Sequence, residues 1–346
     1  MKNSISKTVF TIITAAYASA DIASAETAPQ STINPQINTI LQKAVIIGIE
    51  KSKAKNALGV VLDINTGEVL ANVSIGGAEL VTKQNYENAP ALRIITYAQA
   101  IETGKVTPST VLHVGDSPQV GGVIVKDAQP GAKDLTVTDA FVAASNIAGA
   151  KLALQIGPSA QRKFFEKLHQ LKPIETEAGS TVTPTFHPKW DADDAAVIGF
   201  GHGVANSPLH AASAVASIIN GHLVTPTFVK KPQVAGPLVV GGQTSETMTK
   251  LLATNVERGR AKHADLPVVH VAALTGTTEK IVDGHYAEGK LQCEAIAVAP
   301  TEKPRFLLLV LMNEPEQFDA AAPAATTAGI VAAEFFREAG PLVGLK

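Results

Sequence analysis

Hydrophobic and polar residues alternate along the chain with two different periods. After residue 36, apolar side chains recur every three or four positions and predict an amphipathic helix over about 37–54: Ile37, Ile40, Leu41, Ala44 and Ile47. Two apolar runs, 58–63 and 68–74, then flank the turn-forming sequence Ile64-Asn65-Thr66-Gly67 and predict a β-hairpin. This part of the chain is therefore predicted to be a helix followed by two paired strands.

A buried helix is predicted to begin near Pro90 and to end at Gly104. Asn88 is a favourable cap, and proline suits the first helical turn because its missing N–H would have no partner there. The apolar stripe expected to bury one side of this helix consists of Leu92, Ile95, Ala98 and Ile101.

The remaining helices and strands are predicted from the same hydrophobic periods and from the Gly, Pro and Ser residues that mark turns and helix ends. Helices are predicted at 136–143, 146–156, 159–171, 207–220, 244–257 and 324–339, and strands at 268–273, 291–299 and 305–312. Strands at both ends with helices between them indicate one sheet with an inserted helical part. We therefore expect a sheet subdomain, about 37–85 and 262–346, and a helical subdomain, about 86–261.

The N-terminus has the pattern of a secretory signal peptide. Lys2 and Lys7 precede the apolar run 9–18, and small residues at 23–25 suit cleavage. We predict a signal peptide at 1–25, a linker at 26–36 and a periplasmic or otherwise exported protein; a buried N-terminal helix and an uncleaved weak membrane anchor are the alternatives. The run is shorter than the roughly 20 apolar residues of a membrane span, and Asp21 follows it, so no strong span is expected.

Composition narrows the function classes. The 346 residues are 45% hydrophobic, enough for a large core, and the formal net charge of -2 gives no electrostatic reason to bind nucleic acid. Cys293 is the single cysteine, which rules out an intrachain disulfide and a cysteine metal cluster. The nine histidines lack HExxH spacing, and we predict neither a metal nor a cofactor.

Several spaced motifs in one order resemble class B penicillin-binding proteins, the monofunctional transpeptidases of cell-wall synthesis. They are the hairpin 63–74, Ser145-Asn146-Ile147 with Lys151-Leu152-Ala153, Phe200-Gly201-His202-Gly203-Val204-Ala205 with Ser207-Pro208-Leu209 and Asn220-Gly221, and Thr275-Gly276-Thr277 with Glu279-Lys280. The resemblance covers about 36–340 and implies an α+β fold of the β-lactamase/transpeptidase type. Such a fold has a five-stranded, mostly antiparallel sheet flanked by helices, beside an all-helical subdomain. Because only about ten residues separate the predicted signal peptide from the first predicted helix, we do not expect the family's N-terminal pedestal domain here.

The resemblance also implies that the reactive side chains are replaced. The family's first box is Ser-x-x-Lys, and alignment through Tyr86-Glu87 and Ile94 assigns Pro90 to the nucleophile and Arg93 to the lysine. Proline has no hydroxyl, and arginine keeps its proton in proteins, so neither residue can do the family's acylation chemistry. Other candidate nucleophiles are weaker, because Ser52-x-x-Lys55 precedes the hairpin and Ser145 lacks a lysine partner.

The second and third boxes are degenerate as well. In Ser-x-Asn, Ala144 replaces the serine while Asn146 stays; in Lys-Thr-Gly-Thr, Leu274 replaces the lysine while Thr275, Gly276 and Thr277 stay. The resemblance makes the four retained residues candidates for peptide binding, in which a strand adds alongside Gly276. Alternatively, Asn146 only caps a helix or ties the junction, and residues 275–277 form a turn at a strand end.

Three functions remain open at this point. The main prediction is an exported pseudoenzyme that binds a peptidoglycan stem peptide or a partner protein of cell division or elongation. The alternatives are an active D,D-transpeptidase with an unrecognised nucleophile and a structural scaffold with a closed cleft. The deciding observation is whether the groove beside Thr275 is open or is filled by side chains such as Leu274 and Arg93.

Overall fold

The computed structural model describes residues 29–115, 119–120, 122–128, 131–232, 234–267, 269–282, 285–342 and 344. Residues 31–346 form one compact unit. The predicted signal peptide lies outside the described residues. Among those that are described, no helix is both long enough and apolar enough to cross a bilayer.

The described part of the chain contains eleven α-helices, eleven strands and one short 3-10 helix (Lys262–Ala264). The helices are α1 (Pro35–Ser52), α2 (Leu80–Lys83), α3 (Ala89–Glu102), α4 (Val137–Val142), α5 (Asn146–Ile156), α6 (Pro158–Lys167), α7 (Ala192–Gly199), α8 (Pro208–Asn220), α9 (Gly242–Arg258), α10 (Pro323–Thr326) and α11 (Ala328–Leu342). The strands are β1 (Asn56–Asp63), β2 (Val69–Ile75), β3 (Val111–His113), β4 (Gln119–Val120), β5 (Val123–Ile124), β6 (Asp134–Thr136), β7 (Thr185–Phe186), β8 (Val204–Ala205), β9 (Ala272–Val282), β10 (His285–Ala299) and β11 (Phe306–Asn313).

One five-stranded sheet organises the fold, with the order β2-β1-β11-β10-β9. All four pairings are antiparallel, and β1 pairs in register with β11, for example Leu58 with Leu311. Strands from the two ends of the chain therefore form one sheet, and the predicted α+β architecture is confirmed.

Both faces of the sheet are covered, because alternate side chains of each strand point to opposite sides. Leu58, Val60 and Leu62 pack in the cluster that includes residues of α3, α5 and α8. Ala57 and Val61 of the same strand pack in the cluster that includes residues of α1 and α11. The site described below lies on the α3 side.

Local signals explain most helix boundaries. Thr136 accepts a hydrogen bond from Asp139 N, and Ser207 caps α8 in the same way before Pro208. Gly221 ends α8 in a left-handed conformation, as Asn220-Gly221 predicts. These caps satisfy backbone groups that have no partner within the helix, so they fix where it begins and ends.

Several predicted boundaries are wrong. The strand predicted at 268–273 instead begins at Ala272 and continues to Val282, because it pairs with a long β10 beyond the core. α6 ends at Lys167 rather than 171, and α1 begins at Pro35, inside the predicted linker. Part of the predicted loop 172–195 is α7, which starts with a capping box between Asp191 and Asp194.

Candidate functional site

The start of α3 carries the first box, and its cap differs from the prediction. Asn88 makes no capping hydrogen bond; its Nδ2 instead donates to Tyr86 O at 3.1 Å, Asn206 O at 3.0 Å and Asn206 Oδ1 at 2.9 Å. The Asn88 amide does not cap the helix because it donates instead to two oxygen atoms of Asn206, which lies more than one hundred residues later in the chain. Pro90 then occupies the first turn of α3, as predicted.

Arg93 is built into the wall of the site. Its Nη1 donates to Ser145 O at 2.9 Å, and its Nη2 donates to Asn146 Oδ1 at 2.8 Å and Phe200 O at 3.2 Å. The residue is 7% exposed, and burial lowers the pKa of its guanidinium from the usual value. The guanidinium therefore acts as a hydrogen-bond donor that joins three segments, and it has no lone pair with which to accept a proton.

The second box has the predicted place but a different helix cap. Ser145, rather than Asn146, caps α5: its Oγ accepts from Ala148 N at 3.0 Å and donates to Asp127 Oδ2 at 2.7 Å. At 2% exposure, this hydroxyl is occupied and buried. Asn146 bonds Arg93 through Oδ1 and Lys126 O through Nδ2, so it ties the junction between segments.

The third box lies within β9, so the alternative of a turn at a strand end is wrong. Thr275 pairs with Ala295, Gly276 with Glu294 and Thr277 with Cys293 on β10. β9 is an edge strand of the sheet. Strand alternation turns Leu274 into the core on the α3 side, where it is 2% exposed.

These segments enclose an open cavity of about 240 Å³. The residues of the three boxes that line it are Pro90, Arg93, Ala144, Asn146, Thr275, Gly276 and Thr277. Leu274 is not among them, so it does not fill the groove, and Arg93 forms only part of the wall.

The charge in this cleft is one-sided. Arg93 and Arg260 both line it together with His202, and none of the described lining residues is Asp or Glu. Within the described part of the chain, the Arg260 side chain makes no hydrogen bond or ion pair. Its charge lowers the pKa of Arg93 less than the nearby Asp127 carboxylate raises it. The cleft therefore favours an anionic group.

Comparison with known proteins agrees with this arrangement. The family described as the penicillin-binding protein transpeptidase domain matches residues 57–338, most of the chain. This chain belongs to that family. Membership in the transpeptidase family is consistent with the five-stranded sheet and with the three boxes lining one cleft.

Two curated proteins from other bacteria are similar in sequence to this chain. The chain is 29% identical over 314 residues to the "Probable peptidoglycan D,D-transpeptidase FtsI" of Caulobacter vibrioides, covering 83% of this chain and 53% of that protein. It is 24% identical over 305 residues to the "Peptidoglycan D,D-transpeptidase FtsI" of Escherichia coli, covering 82% and 51%. The chain thus spans about half the length of these curated relatives.

The fold also matches solved transpeptidase domains. The apo transpeptidase domain of penicillin-binding protein 3 from Burkholderia pseudomallei superposes with a TM-score of 0.85 at 23% identity, covering 93% of this chain and 98% of that one. Penicillin-binding protein 3 from Mycobacterium tuberculosis, complexed with aztreonam, gives 0.82 at 23% identity, covering 91% and 80%. At this level of identity, the likeness describes the fold.

Among the described residues that line the transpeptidase cleft, no hydroxyl is paired with a base, and the Ser145–Asp127 pair is not among them. Thr275 and Thr277 are the hydroxyl residues that line it. The Thr277 hydroxyl accepts from Ala324 N at 3.3 Å and bonds the thiol of Cys293, whose pKa burial raises to about 11. The Ser52-x-x-Lys55 match lies away from the cleft, since Ser52 Oγ donates to Gly48 O at the end of α1.

Sequence reasoning missed two features of the site. Arg260 follows α9 in an irregular turn, where no local pattern marks it. The contacts of His202, which the family motif includes, are the second: its Nδ1 lies 2.8 Å from Glu87 Oε2, and the Tyr286 hydroxyl donates to both Glu87 oxygens at 3.1 Å. Partial desolvation and the neighbouring Glu87 carboxylate raise the pKa of Tyr286, so this phenol stays protonated and donates.

No group of three or more His, Cys, Asp or Glu side chains in the described part of the chain is placed to hold a metal ion.

Proposed function

We propose that this chain is an exported, non-catalytic member of the transpeptidase family that binds a peptidoglycan stem peptide in the cleft. The observation that carries the proposal is the pair at the start of α3. Pro90 has no hydroxyl to attack a carbonyl, and Arg93 donates to three oxygens where acylation would need a base. A chain with this pair can hold a ligand but lacks the groups for an acyl intermediate.

Binding is favoured over a closed scaffold because the cleft is open and positively charged. It measures about 240 Å³, and Arg93 and Arg260 face it without a described acidic neighbour in its wall. A peptide with a free C-terminal carboxylate suits these guanidinium groups, which replace the cation lost at Leu274. The edge strand β9 offers a backbone for strand addition beside Gly276.

Relatives named peptidoglycan D,D-transpeptidases support peptidoglycan as the source of that peptide. The same names support the competing hypothesis of an active enzyme. A covalent test separates the two, because only an active site with a nucleophile forms a lasting bond to a β-lactam.

The covalent test is incubation of the purified protein with a labelled β-lactam, followed by intact mass spectrometry. We expect no adduct at any incubation time. A mass increase equal to the β-lactam, mapped by peptide digestion to a hydroxyl in the cleft, would contradict the proposal and favour an active transpeptidase.

The binding test uses a stem peptide with a free C-terminus and the same peptide with a C-terminal amide, measured by calorimetry. We expect the free acid to bind more tightly, and Arg260→Ala to weaken it about tenfold through loss of one charge-assisted contact. Arg258→Ala is the matched control, because Arg258 lies two positions away and pairs with Asp139 at 2.8 Å outside the cleft. Failure of both peptides to bind would favour the scaffold or a protein partner.

A further inference from the structure

A second cavity lies on the helical part of the chain, outside the transpeptidase cleft. It measures about 680 Å³ and is bounded by α6, by the segment 168–173 that follows it, and by strand β7. None of the residues that line it also lines the transpeptidase cleft. Cavities that hold small ligands commonly measure roughly 300–1,000 Å³, so this one has the size of a ligand site.

The floor of this cavity is apolar and firmly held. Leu171 and Phe186 line it and also pack against the hydrophobic cluster on the α3 side of the sheet. The Phe186 ring meets the buried ring of Trp190 edge-on, with the centroids 5.8 Å apart, and Trp190 Nε1 donates to Gln161 Oε1 at 2.9 Å. An apolar group that enters the cavity would therefore contact rings that are already in place.

A guanidinium group lies beside this apolar floor. Arg162 Cζ is 5.9 Å from the centroid of the Phe186 ring, which is the distance of a cation–π contact. Its Nη1 donates to Pro188 O at 2.9 Å and its Nε donates to Glu166 Oε1 at 3.4 Å, so the side chain is held over the ring. Nη2 makes no hydrogen bond with any described residue and is left to donate to a ligand.

The rim of the cavity carries two further nitrogen groups, the imidazole of His169 and the ammonium of Lys172. Both residues are exposed, and neither side chain has a hydrogen bond or an ion pair with another residue that the structure describes. Glu166 is the one acidic residue of the described lining, and Arg162 already pairs with it. The cavity thus keeps an excess of positive charge beside an apolar floor.

The segment that follows α6 holds His169 and Lys172 at the cavity. Gln170 is fully buried between them, and its Nε2 donates to His210 O at 3.1 Å. The His210 ring in turn lies 2.9 Å from Lys172 O. His169 has a φ of +55° just after the end of α6, where helices commonly place glycine. The backbone at this position favours glycine, and an imidazole stands there at the rim of the cavity.

We propose that this cavity binds a small carboxylic acid with an alkyl or aromatic body. The body packs on Leu171 and Phe186, and the carboxylate accepts from Lys172 and Arg162, with His169 beside them. Charge-assisted hydrogen bonds of this kind select the acid over its neutral amide. Binding here goes beyond the proposed function and is independent of it, because the transpeptidase cleft takes no part.

The test uses the fluorescence of Trp190, the single tryptophan of the chain, whose ring contacts the cavity wall at Phe186. The whole protein is titrated with 8-bromooctanoate, because bromine quenches a nearby indole. The quenching should saturate, and octanoate should relieve it by displacement. Octanamide, which has the same body without the charge, should displace the probe at least tenfold less well.

Variants then identify the groups that bind the carboxylate. Lys172→Ala and Arg162→Ala should each weaken octanoate binding about tenfold through loss of one charge-assisted contact. The Lys172 ammonium has no hydrogen bond with a described residue to lose, so this variant should fold normally. Lys163→Ala is the matched control, because Lys163 lies exposed on α6 and does not line the cavity. Quenching that does not saturate, equal displacement by octanamide, or wild-type affinity in both Lys172→Ala and Arg162→Ala would overturn the proposal.

Discussion

The ring of Pro90 lies against the backbone of Gly276, at the contact between the first turn of α3 and strand β9. A Cβ built on Gly276 would stand 2.8 Å from Pro90 Cδ and 2.9 Å from Pro90 Cγ. Real Cβ atoms essentially never come this close, so the two residues fit only because one of them has no side chain. This contact between helix and sheet therefore lies at the position that the family resemblance assigns to the nucleophile.

Gly276→Ala should destabilise the protein by about 1–3 kcal/mol, because the added methyl group overlaps a ring held in a helix. Urea unfolding measures the change. Pro90→Ala in the same chain should recover part of the loss, which a double-mutant cycle would detect as coupling. Gly242→Ala is the matched control, since nothing lies within 4 Å of its Cβ position. Equal losses from the two glycine substitutions would contradict the contact.

Arg93→Met should cost about 3 kcal/mol of unfolding free energy, because the substitution leaves the carbonyls of Ser145 and Phe200 and the amide of Asn146 without their donor. Arg93→Lys should recover only part of this loss, since one ammonium cannot reach three acceptors in the same plane. Urea unfolding again provides the measurement.

The control for Arg93 is Arg258→Met, which removes an exposed ion pair with Asp139 and should cost at most about 1 kcal/mol. A loss from Arg93→Met no larger than that of the control would show that the guanidinium does not hold the wall of the cleft.

Glu294→Gln should stabilise the protein at neutral pH and have little effect near pH 4. Glu294 is 2% exposed, neither carboxylate oxygen has a partner in the described structure, and burial raises its pKa well above the usual value. The folded state keeps a proton that the unfolded chain releases above about pH 4.3, so stability falls as the pH rises through the raised pKa.

The gain from Glu294→Gln is about 1.4 kcal/mol for each unit by which the pKa is raised, measured by urea unfolding at pH 4 and pH 7.5. Glu316→Gln, at an exposed site, should show no such pH dependence. A gain of the same size at both pH values would point to a packing effect instead of the proton.

His210→Gln should remove part of the stability loss on acidification. His210 is fully buried between Ser207 Oγ at 2.7 Å and Lys172 O at 2.9 Å, and burial lowers its pKa to about 4. The unfolded chain binds a proton below about pH 6.5 while the folded state does not, so stability is lost as the pH falls from there through about 4.

The His210 contribution amounts to about 3 kcal/mol at its largest, from the difference between the two pKa values. Thermal or urea unfolding between pH 4 and pH 7 checks it, with the exposed His263→Gln as control. Parallel pH profiles for the wild type and His210→Gln would contradict the assignment.

Local sequence chemistry predicted many of the helices and strands, and the family resemblance predicted the five-stranded sheet and the meeting of the boxes. Ser207-Pro208 begins α8, Gly221 ends it, and the hairpin β1–β2 follows its turn sequence, because each of these signals acts within a few residues. The resemblance then assigned Pro90 and Arg93 to one site, and both line the same cavity.

The features that were missed depend on contacts between distant residues. The local sequence predicts that Asn88 caps the helix, but in the folded chain its side-chain amide donates to Asn206 instead. Leu274 seemed a candidate to fill the groove, yet strand alternation directs it into the core, which requires knowing that β9 continues past residue 273. Arg260 has no periodic neighbours, so only the folded chain brings it beside Arg93.

The pairing of β1 with β11 has a consequence for how this molecule is made. Strand β1 has β2, the next strand in the chain, on one side, but its other neighbour, β11, follows all the other strands of the sheet. Until then β1 presents an open hydrogen-bonding edge, and the sheet cannot close. The sheet can therefore close only after the helical part between its two halves, residues 80–258, has been synthesised.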